Sequence, residues 1–452
     1  MSAWAGEGGG RPAPAALGAL LGFVLVAVAF WPGIAGVDTG SQLAQARLGV
    51  VFGGHPPVLT VAWRHLDRLW PGTGLPFLLQ GALLWSGLGL LLHEHLRGRW
   101  RSIPLLLAVA VFPPLVAHWA QLLKDTVHTA GLTLGAALLL RAQTRGSRRC
   151  LLLACLPLLV AAASRHNGAP ALLPLGVWAG KIVADWRPTP WLGRRGPLAG
   201  GAAALLIGAA AMLGNRCLTD VPVHLWQYLC LWDLAGVAVR SGEHGFPAYL
   251  AVSPDLEAVR RNYTPAHCSQ LCQLPPDAPT LRPTTDPAKL ALLRTAWFRA
   301  LRRHPGAWLG HRAEVVRHLL GLYGGPNRTW TPVRRSSVLV EPPYRPGWWA
   351  WLLLGSAEAL RDGLLFRPWA WAVLGVVLLV RGIRRADRAV VALACSGLLH
   401  LLAILPVAPC ADFRYTLWTV QSVVLAALLC LPGARAEAAP PEPAAGSPTP
   451  GA

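Results

Sequence analysis

Ten apolar stretches divide this chain, near 15–31, 76–96, 103–120, 126–142, 150–163, 168–184, 198–214, 366–381, 389–407 and 416–432. So many runs with so little charge leave few ways to fold. A soluble globule cannot bury them all, whereas a bilayer accepts each as a helix whose backbone bonds close internally. Composition agrees, since 14% of the 452 residues are charged, against about 25% in soluble domains. Disorder is excluded as well, because it needs low hydrophobicity. The expected fold class is an all-α polytopic membrane protein with about ten transmembrane helices. Several runs are shorter than about 20 residues, so their ends reach into the interface or lie inside a bundle. The first run reads as an uncleaved helix, because no small-residue cleavage site follows it and Trp31-Pro32-Gly33 does.

The net charge of +20 does not point to nucleic acid. Much of it lies between the apolar runs, where membrane topology accounts for it. Arg97, Arg99 and Arg101 form one cluster, and Arg141, Arg145, Arg148 and Arg149 a second. Lys181, Arg187, Arg194 and Arg195 form a third, and Arg381, Arg384, Arg385 and Arg388 a fourth. The positive-inside rule puts all four in the cytoplasm with Arg11. The segments 32–75, 121–125, 164–167, 215–365 and 408–415 then face outward. Residues 347–365 open with Trp348, Trp349 and Trp351 and carry Glu358, Arg361 and Asp362. Counted as an eleventh span, they would export the fourth cluster, so they read as an interfacial helix.

This divides the chain into four parts. Residues 1–214 form a membrane module whose first outer loop, 32–75, is helical and juxtamembrane. Residues 215–346 form a small extracytoplasmic domain with proline-rich turns (Pro275, Pro276, Pro279, Pro283, Pro287) and a helical stretch from Lys289 to Arg303. Residues 347–432 hold the interfacial helix and the last membrane helices. The Pro/Ala-rich tail 433–452 reads as disordered. Cys217, Cys230, Cys268 and Cys272 share the polar region, where one or two disulfides are open possibilities in an oxidising compartment. His267 beside Cys268 and Cys272 hints at zinc, but no second ligand pair supports it.

Only 21 residues are acidic, and nine of them fall in 215–346. Of the rest, Asp38, Asp67, Asp125 and Asp412 sit in the short outward segments. A carboxylate at the membrane edge is costly unless hydrated or paired, which makes it a functional candidate. Asp38 precedes a short amphipathic stretch and is either a helix N-cap or a general base. His55, in Gly53-Gly54-His55-Pro56-Pro57, either caps the next helix or serves as a phosphate-facing imidazole. Lys124-Asp125, Arg165-His166-Asn167 and Asp412-Phe413-Arg414-Tyr415 each place charge at a helix end. An outward arginine runs against the topology bias, and a phosphate ligand would explain it. Each motif alone also fits a plain surface charge pair or an interfacial anchor. Together they put charge on one side of one bundle.

The order of these motifs resembles the GT-C glycosyltransferase superfamily, and within it bacterial multi-pass relatives of the family 39 mannosyltransferases. The resemblance rests on Val37-Asp38-Thr39 with Gln42 and Gln45-Ala46, on His55-Pro56-Pro57, and on the three charged motifs above. It also draws on Gln227-Tyr-Leu-Cys-Leu-Trp-Asp233-Leu-Ala235 and on His304-Pro305-Gly-Ala-Trp308 with Arg312. It implies transfer of a sugar from a polyprenyl-phosphate donor to an acceptor hydroxyl, with inversion, on the outer face of a bacterial plasma membrane. Asp38 would be the general base, with His55 beside it. Lys124, Arg165 and Arg414 would hold the donor phosphate. Gln42, Asp125, His166, Asn167, Asp412 and Tyr415 would contact acceptor or substrate. The acceptor would be an envelope glycan, lipid or protein. The loop holds one acid, Asp38, where several GT-C families carry a pair, so no metal or other cofactor is called for. The competing classes are a transporter or flippase for lipid-linked sugars, an O-antigen-type ligase, and an envelope scaffold.

Overall fold

Each of the ten apolar runs is helical, and proline and glycine set most of the boundaries. The computed structural model describes residues 14–433 except 98, 188, 244, 251–255, 273–280, 282 and 324–343. Arg11, Pro275, Pro276, Pro279 and the tail from 434 lie outside the described residues. Among the described residues there is no β-strand, and the only extended pairings are three isolated bridges.

Helix α1 (Pro14–Phe30) leads into the first loop, which carries α2 (Val37–Leu48) and α3 (Pro57–Leu69). Gly49, at φ 75°, closes α2 in the left-handed region that glycine adopts without a Cβ clash. Proline in the first turn starts α3. Helix α4 (Gly74–Leu96) follows. The third run breaks into α5 (Ser102–Ala110) and α6 (Pro113–Trp119), bent by 67°, because Pro113 and Pro114 cannot continue the α5 hydrogen-bond ladder. Then come α7 (Lys124–Arg145), α8 (Arg148–Ala163), α9 (Leu172–Trp186) and α10 (Pro190–Cys217). The polar block holds α11 (Trp226–Ser241), α12 (Leu256–Asn262), α13 (Ser269–Cys272), α14 (Pro287–Arg303) and α15 (Pro305–Leu319). The chain ends on α16 (Trp348–Leu360), α17 (Pro368–Arg384), α18 (Arg388–Ile404) and α19 (Leu417–Leu429).

Among the described residues, two helices are by themselves long and apolar enough to cross a membrane, Gly74–Leu96 and Gly193–Cys217, and the bent α5–α6 pair makes a third if taken as one span. The outer surface adds a physical argument. Leu198, Leu205, Leu206, Met212 and Leu213 on α10 are exposed, as are Leu152, Leu153 and Leu156 on α8 and Val373, Val376, Val377 and Ile383 on α17. Contiguous exposed apolar faces of this kind are unfavourable in water and suit a lipid environment.

The bundle has two distinct ends. At one, Glu94 on α4 binds Arg141 and Arg145 on α7, and Asp185 on α9 binds Arg388 on α18. The arginine clusters gather there. At the other end lie the loops 31–73, 120–124 and 164–171, the polar block, and 405–416. Helix α16 leaves and returns at this second end. Before it, the Tyr344 hydroxyl donates to Ala29 O at 3.0 Å, at the C-terminus of α1, and after it Phe366 packs on Phe413.

Close packing between α9 and α10 depends on glycine. A Cβ on Gly180 would overlap the Gly196 carbonyl, and one on Gly200 would overlap that of Gly176. Small residues four apart on both helices let the backbones touch. The polar block has its own apolar core, built on Leu231, Trp232, Leu234, Leu293 and Val315, which continues onto Leu401, Ile404 and Tyr415 at the bundle end. All nine cysteines are free thiols, with Cys230, Cys268 and Cys272 buried in this second core, so neither disulfide left open above is formed.

Candidate functional site

Backbone pairing brings the first loop against the segment before α7. Ile34 N–H donates to Ala120 O at 2.9 Å, and Leu122 N–H donates to Ile34 O at 3.0 Å. Thr39 Oγ1 donates to Leu122 O at 2.7 Å and also accepts from Gly36 N–H at 3.3 Å. Gly36 holds the N-cap position, so Asp38 is not the cap; it stands in the first turn of α2, next to Thr39, whose hydroxyl is bonded to Leu122 two residues before Lys124. A second pairing fixes the His55 turn. Gly53 N–H donates to Val221 O at 2.9 Å, and the Asp220 carboxylate accepts from Val51 N–H at 2.8 Å. Pro56 occupies the cap position of α3, which leaves the His55 ring free to face Lys124.

Three loops therefore supply one charge cluster. Arg414 Nη1 donates to Asp38 Oδ2 at 2.9 Å, and Lys124 Nζ lies 3.5 Å from the same oxygen. Lys124 Nζ also reaches His55 Nδ1 at 3.5 Å. Behind Arg414, its Nε lies 3.0 Å from Asp412 Oδ2, and Asp412 Oδ1 caps the short 3-10 turn by accepting from Arg414 N–H at 3.1 Å. The side chains of Asp38, Lys124 and Arg414 remain 28%, 19% and 18% exposed, so a ligand can reach them.

Electrostatics follow from this geometry. Burial alone would raise the Asp38 pKa, but Lys124, Arg414 and His55 together hold it well below the usual carboxylate range. Burial, helped by Lys124, lowers His55 to about 4, so its ring is neutral at physiological pH. Burial raises Asp412 above the ordinary carboxylate value despite Arg414. Burial also opposes the Arg414 cation, but Asp412, Tyr415, Asp38 and Asp125 together outweigh it, so the guanidinium stays charged.

A second, buried layer lies beneath. Arg165 forms an ion pair with Asp125, and their side chains are 5% and 0% exposed. Arg165 Nε donates to Asn167 Oδ1 at 3.1 Å, and the guanidinium lies over the Tyr415 ring at 5.5 Å. Arg414 also lies over that ring, at 5.4 Å, so Tyr415 links the two layers. Its hydroxyl is occupied by Cys410, whose Sγ donates at 3.5 Å. Asp125 therefore binds Arg165 rather than its sequence neighbour Lys124. The remaining candidates lie further out. His166 is exposed at the rim near Lys124, and Gln42 is buried, with its amide donating to Thr60 Oγ1 at 3.4 Å on α3.

Two further groups assemble that sequence reasoning did not join. In the polar block, Asp233 accepts from Arg312 Nε at 2.6 Å and Trp297 Nε1 at 2.8 Å, with His311 Nε2 at 3.3 Å. The motif that holds Asp233 and the one followed by Arg312 meet there, and the junction clamps α11 to α14 and α15. In the bundle interior, His128 and His400 stack at 5.4 Å, both buried, near Arg165. The histidine four residues after Lys124 was the available signal. Among the described residues, no group of three or more His, Cys, Asp or Glu side chains is placed to hold a metal ion. No protein-family model matches the chain, and no curated protein sequence matches it.

Proposed function

We propose that the chain is a membrane glycosyltransferase that moves a sugar from a polyprenyl-phosphate donor to an acceptor hydroxyl. The observation that carries this reading is the convergence of Asp38 with Arg414 and Lys124, from loops up to 376 residues apart, at the end of an apolar helical bundle opposite the four inter-helix arginine clusters. Such a site pairs a carboxylate base with two partly exposed cations. In the transition state the leaving phosphate gains charge, and preplaced cations stabilise it without reorganising. Arg414 and Lys124 serve that role, with Asp38 as proton acceptor and neutral His55 orienting Lys124. The buried Arg165–Asp125 pair supports the site from beneath, so Arg165 acts on the phosphate at most through Tyr415.

The same reading takes the ten apolar helices as ten spans. The arginine clusters then face the cytoplasm and the site faces outward. The return of α16 to the end it leaves supports ten spans rather than eleven. An outward site calls for a donor that has crossed the bilayer, and the chain has no glycine-rich nucleotide-phosphate motif. The bacterial plasma membrane and an envelope acceptor belong to this proposal. One observation favours a second reading. The Arg165–Asp125 pair and the stacked His128 and His400 line the bundle interior, as polar groups do along a translocation path.

The test is a donor panel. Purified protein in nanodiscs receives radiolabelled polyprenyl-phosphate sugars and envelope extract. The proposal expects labelled acceptor of inverted anomeric configuration together with free polyprenyl phosphate. Movement of intact donor between leaflets, with no cleavage of any donor, would instead establish the transport reading.

A further inference from the structure

The base is clamped in the ligand-free site. One oxygen, Asp38 Oδ2, is shared by Arg414 at 2.9 Å and Lys124 at 3.5 Å. A carboxylate neutralised by two cations is a poor proton acceptor, since hydrogen bonds and charges that favour its ionised form weaken its basicity. Among the described residues of the cluster these two cations are the partly exposed ones, because Arg165 is buried on Asp125. Each has a second partner that holds it nearby once released: Asp412 Oδ2 for Arg414 at 3.0 Å and His55 Nδ1 for Lys124 at 3.5 Å. The groups facing Asp38 are thus Lys124, Arg414 and His55, with Asp412 behind Arg414 and His166 near Lys124.

Resting on the transferase reading, we propose that the donor's phosphate draws Lys124 and Arg414 off Asp38 and thereby frees the carboxylate to act, so that the donor binds first. The donor's phosphodiester carries one negative charge, as the carboxylate does, but its two non-bridging oxygens can take one cation each where Lys124 and Arg414 now share the single Asp38 Oδ2, so it competes for both at once. The order of events then follows. With donor in place, the acceptor O–H bond breaks and its proton passes to Asp38. The acceptor oxygen bonds to the anomeric carbon. The bond from that carbon to the phosphate oxygen breaks, and its electron pair leaves on polyprenyl phosphate.

Carbodiimide labelling tests this without knowledge of sugar or acceptor, because the reagent attacks protonated carboxyl groups. Full-length protein in nanodiscs is treated with dicyclohexylcarbodiimide at mildly acidic pH, and Asp38 modification is read by mass spectrometry. The lipid arms are none, undecaprenyl phosphate and uncharged undecaprenol, with inorganic phosphate as a fourth arm. Retention of radiolabelled lipid is measured in parallel. The expected result is a rise in Asp38 labelling of about tenfold, the change for one pKa unit, with undecaprenyl phosphate and not with undecaprenol. An equal rise with inorganic phosphate supports the clamp and assigns its release to the anion alone. Lys124→Met and, independently, Lys124→Gln should raise labelling without lipid. Bound undecaprenyl phosphate that leaves labelling unchanged or lowers it overturns the clamp and leaves the transferase reading standing. Failure of undecaprenyl phosphate to bind at all overturns both.

Discussion

Replacing Arg165 by methionine should destabilise the protein far more than replacing its exposed neighbours. The change leaves the Asp125 carboxylate, 0% exposed, without its cation, and its Oδ2 already lacks a hydrogen-bond partner. Removing one member of a buried ion pair costs about 3–5 kcal/mol, because the survivor keeps its desolvation penalty. Loss of the Asn167 bond and of stacking on Tyr415 adds to this. Removing both charges, in Arg165→Met with Asp125→Leu, takes that penalty away and should be close to neutral. The cycle therefore predicts a coupling of about 3 kcal/mol or more between the two positions. In thermal unfolding, each single variant should melt about 3–5 °C lower, and the double variant should recover most of that loss. Thiol-reactive dye in detergent reports the melt, since Cys230, Cys268 and Cys272 are buried. Arg165→Met that melts with wild type, or a double variant as unstable as the two singles summed, would refute the buried-pair account.

Other consequences are open to direct measurement. Gly180→Leu should prevent α9 from packing on α10 and yield aggregated protein, whereas Gly193→Leu, where a Cβ meets nothing within 4 Å, should behave as wild type in size-exclusion chromatography. His55 is held at about 4 in the folded protein, below the ordinary value of 6.5, so the unfolded chain takes up its proton first as pH falls. Its contribution to stability is complete above about pH 6.5 and is lost between there and about pH 4; melting scans of His55→Gln should be flatter across that window. In single-cysteine variants of intact cells, an impermeant maleimide should label exposed Cys217 at the site end, and should reach Cys430, after α19 at the arginine end, only once the membrane is opened.

Local signals in the sequence carried much of the architecture. Apolar length marks the helices, Pro113-Pro114 marks the bend between α5 and α6, and Gly49 marks the end of α2. The charged motifs at helix ends were legible too, because charge is scarce in this chain and each one stands out. Pairing was not legible. Nothing local tells Asp125 to bind Arg165 rather than adjacent Lys124; α7 begins at Lys124, and its first turn points the two neighbouring side chains in different directions. Nothing local joins Arg414 to Asp38 either, since that contact needs the whole bundle to assemble. Gln42 entered through the resemblance alone; nothing local told that its amide is buried and donates to Thr60 on α3. The Asp233 junction was hidden because its members come from three helices of the polar block, each unremarkable alone. The Gly176/Gly180 and Gly196/Gly200 spacings, by contrast, were present in the sequence and sufficient to predict a close helix crossing.

The central claim is that Asp38 accepts the acceptor's proton beside a cation-bound donor phosphate. Single-turnover transfer by Asp38→Asn, with folding and donor binding matched to wild type, tests it most directly. The account predicts a rate lower by about 10²–10⁴-fold, the usual contribution of a positioned general base. Transfer at the wild-type rate by a folded, donor-bound Asp38→Asn protein would contradict it.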